Sequence, residues 1–226
     1  FYDAAAGDQD DKFGGIIKSP LDLVAGTINF LNIQAPDYQA QPAEFYDFSK
    51  GLLHTTDSMG MNFYEPFEVA GNGANHQFPR FNRNWISTHW LTQRYSFIRE
   101  LFMQTVGDTD TLLIDPRVFI VNNFGGTGAD ARQLIIELAP YLFSITDNLA
   151  YDDADGDPTI ARGLTPARMR YFLQAFLGFT EYETEVDMAV AGWVDIYAQT
   201  ANYLEASTRL QSLFNAMMQS PEYQLF

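Results

Sequence analysis

The sequence predicts an all-α protein, an irregular multi-helix bundle with long ordered loops rich in Gly, Pro and aromatic residues. Two observations carry that prediction. Apolar residues recur at helical rather than alternating spacing, and Ser-Pro, Asp-Pro or Thr-Pro pairs stand at the heads of several of those stretches.

Taken in order, Ser19-Pro20 opens the first helix. Ser is a good N-cap, and Pro at the first helical position loses nothing by lacking an N–H. Leu21, Val24, Ile28 and Leu31 then share one face to about Asn32. Residues 44–58 predict a second helix, with Phe45, Phe48, Leu52 and Leu53 as its apolar stripe. From Gly60 to Trp85 the pattern gives way to Gly, Pro, Asn and aromatics, a long ordered loop. Ser87 to Thr105 is the clearest long helix, with Trp90, Leu91, Phe97, Leu101 and Phe102 on its buried side.

Asp115-Pro116 caps a short helix to about Asn123, although Val118–Val121 is also the most strand-like run in the chain. Gly125-Gly126 breaks the chain, and a helix from Asp130 to Phe143 follows, with Pro140 expected to end or kink its last turn. Thr165-Pro166 opens a helix to about Gly178, and two more follow, 184–201 and 203–219, before Ser220-Pro221. The chain reads as one helical domain over 1–226, with a subdivision into 1–106 and 107–226.

Composition narrows the partners. The 226 residues carry 29 acidic and 13 basic side chains, a formal charge of −16. Binding of nucleic-acid phosphate needs a Lys/Arg surface that this balance does not supply, and docking on an anionic membrane is disfavoured for the same reason. No stretch approaches the roughly 18–20 continuous apolar residues of a spanning helix, so no membrane insertion is expected. Aromatics at 15% and apolar residues at 46% exclude an acidic disordered tail. Cysteine is absent, which removes disulfides and thiol chemistry. The three lysines against abundant Tyr, Asn, Gln, Thr and Gly point to an extracytoplasmic setting. The start at Phe1 reads as the interior of a processed or longer polypeptide.

Three segments resemble one bacterial family. IIKSPLDLVAGTINFLNI (16–33) is similar to a Lys-Ser-Pro segment followed by an aliphatic helix. MGMNFYEPFEVAGN (59–72) with NWISTHWLTQRYSFIREL (84–101) resembles the order Met-Gly-Gln, aromatic, Pro-Pro-Asn-Val-x-Gly-Trp, then Trp-Ile-x-Thr and Leu-x-x-Arg. SPEYQLF (220–226) resembles the same family's closing Ser-Pro-Glu-Tyr/Phe-Gln. The family is the domain of unknown function 1800. Phe67 stands where it usually has a second Pro, and Asn72 replaces the Trp after Gly71. The resemblance implies the C-terminal part of a mostly helical, normally exported protein, with the domain's N-terminal half missing. It also implies a protein partner: a protein of alkaline-phosphatase-like or sulfatase-like fold encoded nearby, or the domain's own N-terminal half. It brings no catalytic residues.

Residues 69–99 hold no Asp or Glu, yet carry Arg80, Arg83, Arg94, Arg99, His76 and His89. Arginine's planar fork suits carboxylate, sulfate or phosphate, so His76, Arg80, Arg83 and Arg94 are candidates for an anionic ligand or acidic partner. The competing reading has these arginines paired with the chain's own carboxylates. Phe78 and Phe81, flanked by arginines, are candidates for a contact surface, whereas Phe63, Phe67 and Trp85 are expected to pack inward. His89, beside Trp90, is expected to be a core residue.

Asp153, Asp155 and Asp157 alternate around Gly156 as oxygen ligands do in a calcium loop. Pro158 and Leu164 stand where an EF-hand has Gly and the bidentate Glu, and a solvated Asp/Gly turn explains the run equally. Ca2+ is the one cofactor the sequence suggests, through Asp153, Asp155 and Asp157. No HExxH, GxSxG, P-loop or GxGxxG motif occurs. The expected role is that of an exported, non-catalytic scaffold or interaction subunit. The alternatives are a carbohydrate-binding or carbohydrate-acting domain using loop 61–85, and a calcium-stabilised surface-layer or adhesin module.

Overall fold

The computed structural model describes residues 16–62, 85–103, 112, 114–143, 145, 148–152, 163–178 and 183–225. Most of these residues are helical and they form no sheet: α1 (Pro20–Phe30), α2 (Pro42–Ser58), α3 (Thr88–Leu101), α4 (Pro116–Phe124), α5 (Ala131–Phe143), α6 (Pro166–Leu177), α7 (Glu183–Ala198) and α8 (Tyr203–Met218). Two compact units result. One comprises Phe1–Glu100 and Gln224–Phe226, the other Leu101–Tyr223.

In the first unit, α1 starts on a capping box. Ser19 Oγ accepts from the Asp22 N–H at 3.1 Å, and the Asp22 carboxylate accepts from the Ser19 N–H at 3.3 Å. Leu23, Val24, Thr27 and Leu31 are buried, while Leu21, on the expected apolar face, is exposed. The helix ends in a Schellman turn with Asn32 at φ 53°. The Ile33 N–H donates to the Ile28 carbonyl at 3.0 Å, and the Asn32 N–H to that of Asn29 at 3.1 Å.

Helix α2 begins at Pro42 after Gln41, a residue with no capping hydrogen bond, which is why its start was not sharply legible. Its end repeats the Schellman pattern: the Met61 N–H donates to Thr56 at 2.9 Å and the Gly60 N–H to Asp57 at 2.8 Å. Gly60 sits at φ 92° with the Trp90 ring of α3 directly against its Cα.

The second unit is organised around α8, whose Leu210, Leu213, Phe214, Met217 and Met218 are wholly buried. It packs against α4, α6 and α7. Phe214 stacks on Phe102 at 5.3 Å and meets Phe119 edge-on at 5.7 Å. Phe176 meets Trp193 at 4.6 Å, and the buried Trp193 Nε1–H donates to the Gly128 carbonyl at 2.9 Å. Each such buried side chain contributes about 1.5–3 kcal/mol of transfer free energy.

The short helix expected from Asp115-Pro116 forms as α4 and takes in the strand-like run Val118–Val121: Asp115 caps it through the Arg117 and Val118 N–H groups at 2.8 and 3.1 Å, and Phe119 and Ile120 turn inward while Val118 and Val121 face out. That packing overrides β-branched propensity. Helix α5 runs to Phe143 as expected, with Pro140 inside it rather than at its end and Leu142 and Phe143 buried beyond it.

Candidate functional site

Three arrangements in the described residues have the character of sites. The first is a groove of about 600 Å³ between α1 and α2. Its floor comes from the two apolar stripes, Leu21, Val24, Ala25 and Ile28 on α1 and Leu52 and Leu53 on α2. Ile33, which follows the Schellman turn at Asn32, adds to the lining. The stripes read as core faces in the sequence. In the structure they are only partly covered, with Leu21 at 47% exposure. Five carboxylates between residues 20 and 58 (Asp22, Asp37, Glu44, Asp47 and Asp57) stand against one lysine, Lys50. A second groove of about 540 Å³ runs along the polar side of α2, lined by Tyr46, Lys50, His54, Asp57 and Asn62.

The second arrangement is the Arg94 centre. Arg94 lies on α3 with its side chain wholly buried. Its Nη2 donates to the Lys18 carbonyl at 2.7 Å and its Nη1 to Gln224 Oε1 at 3.0 Å. Its Nε has no hydrogen-bond partner among the described residues. Burial lowers its pKa to about 10, still far above neutrality, so the guanidinium stays charged. Beside it, the Lys18 N–H donates to the Gln224 carbonyl at 2.9 Å, and Ile17 and Leu225 form an isolated antiparallel bridge. Ile17, Trp85 and Leu225 make a small buried cluster, with Met61 and Ile86 packed against it. The expectation that Trp85 packs inward holds. Lys18, Arg94 and Gln224 come from the three segments that carried the family resemblance, and here they meet in one hydrogen-bonded centre. Burial also lowers the Lys18 pKa, to about 8, against an upward pull from Asp22.

The third is in the second unit. The Arg117 guanidinium lies 4.8 Å from the Tyr203 ring centre and 5.7 Å from that of Tyr197, and its Nη2 donates to the Tyr197 carbonyl at 2.9 Å. Tyr203 Oη donates to Asp115 Oδ2, and burial together with that bond raises the Tyr203 pKa to about 12. Asp115 already accepts from two backbone N–H groups, so its carboxylate is engaged as a cap rather than poised as a base. The cluster staples the start of α4 to α7 and α8.

Among the sequence-predicted site residues, Arg94 is placed as described. His76, Phe78, Arg80, Phe81 and Arg83 lie outside the described residues, as do Asp153, Asp155 and Asp157, and so do Phe63 and Phe67. Their neighbour Asp152 is described and pairs with Arg170. His89 is exposed rather than buried, because it sits on the outer side of α3 while Arg94 and Ile98 take the inner side. Among the described residues no group of three His, Asp or Glu side chains could hold a metal ion, and no helix is long and apolar enough to cross a membrane.

No curated protein and no solved structure matches the chain. The model of the family described as "Protein of unknown function (DUF1800)" matches residues 1–225, and the chain belongs to that family.

Proposed function

We propose that the chain is a non-catalytic interaction subunit of an extracytoplasmic or cell-surface assembly in bacteria, and that it docks a basic, amphipathic segment of a protein partner in the α1–α2 groove. The observation that carries the reading is the groove itself: two helices present apolar stripes to a partly open trough of about 600 Å³. An amphipathic helix laid in such a trough buries its apolar anchors at spacings of three and four residues. The carboxylates Asp22, Asp37, Glu44, Asp47 and Asp57 around these helices favour lysines and arginines on the partner's polar face. The exported setting rests on the composition and on the family resemblance.

The test uses a fluorescent Leu/Lys amphipathic peptide and a scrambled control, followed by anisotropy. The ordered peptide should bind, bind more weakly as salt rises, and be lost with Leu52→Asp in a protein that keeps its helical circular dichroism. Equal binding of the scrambled peptide, or indifference to Leu52→Asp, would sink the groove reading. Immunodetection of the native protein in the cytoplasmic fraction of its bacterium would sink the exported part.

A further inference from the structure

The two grooves described above share a wall. Ser49 and Leu53 of α2 line both of them, so the grooves are neighbours across one ridge of that helix. Successive helical residues turn by about 100°, which sends Leu52 and Thr56 to the apolar side of the ridge and Tyr46, Lys50 and His54 to the polar side. The ridge is low at Ser49, whose small side chain turns back onto its own helix and donates to the Phe45 carbonyl at 2.8 Å.

Lys50 stands one position beyond Ser49, with its side chain exposed. Among the described residues it is the one Lys or Arg without a hydrogen bond, ion pair or ring contact. Every described arginine has such a partner, and Lys18 is engaged as well. Partners within reach on a helix lie three or four positions away. For Lys50 these are Tyr46, Asp47, Leu53 and His54, and the one carboxylate, Asp47, forms no ion pair with it. The long stem of a lysine lets its ammonium lean over the low ridge toward an occupant of the trough.

An apolar trough among carboxylates would hold a Leu/Lys helix in registers one turn apart, and in either direction, at similar free energy. A single cation breaks that equivalence. Opposite Lys50 a carboxylate is favoured and a lysine is repelled, whereas around Asp22, Asp37, Glu44, Asp47 and Asp57 the preference is reversed. One odd polar position fixes register in coiled coils in the same way. We infer, resting on the groove reading above, that Lys50 is its specificity-determining residue: the docked segment carries one Asp or Glu among its basic residues, and pairing of that carboxylate with Lys50 sets register and direction.

The experiment uses the full chain and the Leu/Lys peptide, with each lysine of the peptide replaced in turn by Glu and, in a matched set, by Gln. Binding is followed by anisotropy on wild type and on Lys50→Met, which keeps most of the stem and removes the charge. At most positions Glu should bind more weakly than Gln. At one register Glu should bind about threefold more tightly than Gln, the scale of an exposed ion pair, and Lys50→Met should abolish that gain. A walk with no such register, or a gain that survives Lys50→Met, overturns the inference while Leu52-dependent binding of the parent peptide leaves the groove reading intact. A parent peptide that does not bind overturns both.

Discussion

Gly60→Ala should lower stability by about 3 kcal/mol, in two separable parts. Gly60 sits at φ 92°, and a left-handed conformation costs an L-residue about 1–2 kcal/mol. A Cβ built there would lie 2.5 Å from Trp90 Cε2, 2.8 Å from Cζ2 and 2.9 Å from Cδ2. Those are ring atoms of a rigid side chain, not the tip of a flexible one. Displacing the ring is an overpacking cost of about 1–3 kcal/mol. The assay is urea denaturation followed by circular dichroism, which does not depend on Trp90 fluorescence, on wild type, Gly60→Ala, Trp90→Ala and the double variant. In the Trp90→Ala background the steric part vanishes and about 1–2 kcal/mol of backbone cost remains. A neutral Gly60→Ala, or a penalty that is the same with and without the Trp90 ring, would refute the reasoning.

Three further outcomes are expected. Arg94→Lys keeps the charge but loses the fork that holds the Lys18 carbonyl and Gln224 Oε1 together; the loss should be about 1–3 kcal/mol, read by thermal melting. Lys18, whose pKa burial lowers from 10.5 to about 8, binds its proton less tightly in the folded chain than in the unfolded one. The unfolded chain therefore holds the extra proton between those two values, and stability rises with pH across that window. Lys18→Met should be more stable than wild type at pH 7, with the gap narrowing by pH 10. The paired Arg168–Glu222 bonds, at 2.9 and 2.8 Å between side chains only 27% and 16% exposed, should show a coupling of about 1–2 kcal/mol in a double-mutant cycle, little weakened by 1 M KCl.

Helix heads were legible wherever a side chain announced them. Ser19, Asp115 and Thr165 each precede a Pro and each accept the expected backbone N–H. The all-α class follows from the same signals. What a single segment cannot display is which neighbour covers a face. Leu21 and Leu52 have the spacing of core residues, yet they line an open trough because α1 and α2 leave it uncovered. Arg94 stood out in the sequence for its charge in an acid-free stretch. Its burial was unreadable because its acceptors, the Lys18 carbonyl and Gln224, lie 76 and 130 residues away, and one of them is a backbone atom that any residue would supply. His89 misled for a related reason. Its aromatic neighbour Trp90 turns toward Gly60, and one step along a helix is enough to put His89 on the outer side.

The way the chain returns to its first unit has a kinetic side. Lys18, Trp85 and Arg94 are made before Gln224 and Leu225, the residues that complete their hydrogen bonds and apolar contact more than a hundred positions later. Contacts of such high sequence separation carry a loop-closure cost that is met before they return anything. The intervening residues Leu101–Tyr223 form a unit of their own, and folding that unit first shortens the effective loop. The unit that holds Lys18, Trp85 and Arg94 is thus complete only once Gln224 and Leu225 have been made. Until Gln224 arrives, Arg94 Nη1 and the Lys18 N–H are without the acceptors that Gln224 gives them in the folded chain.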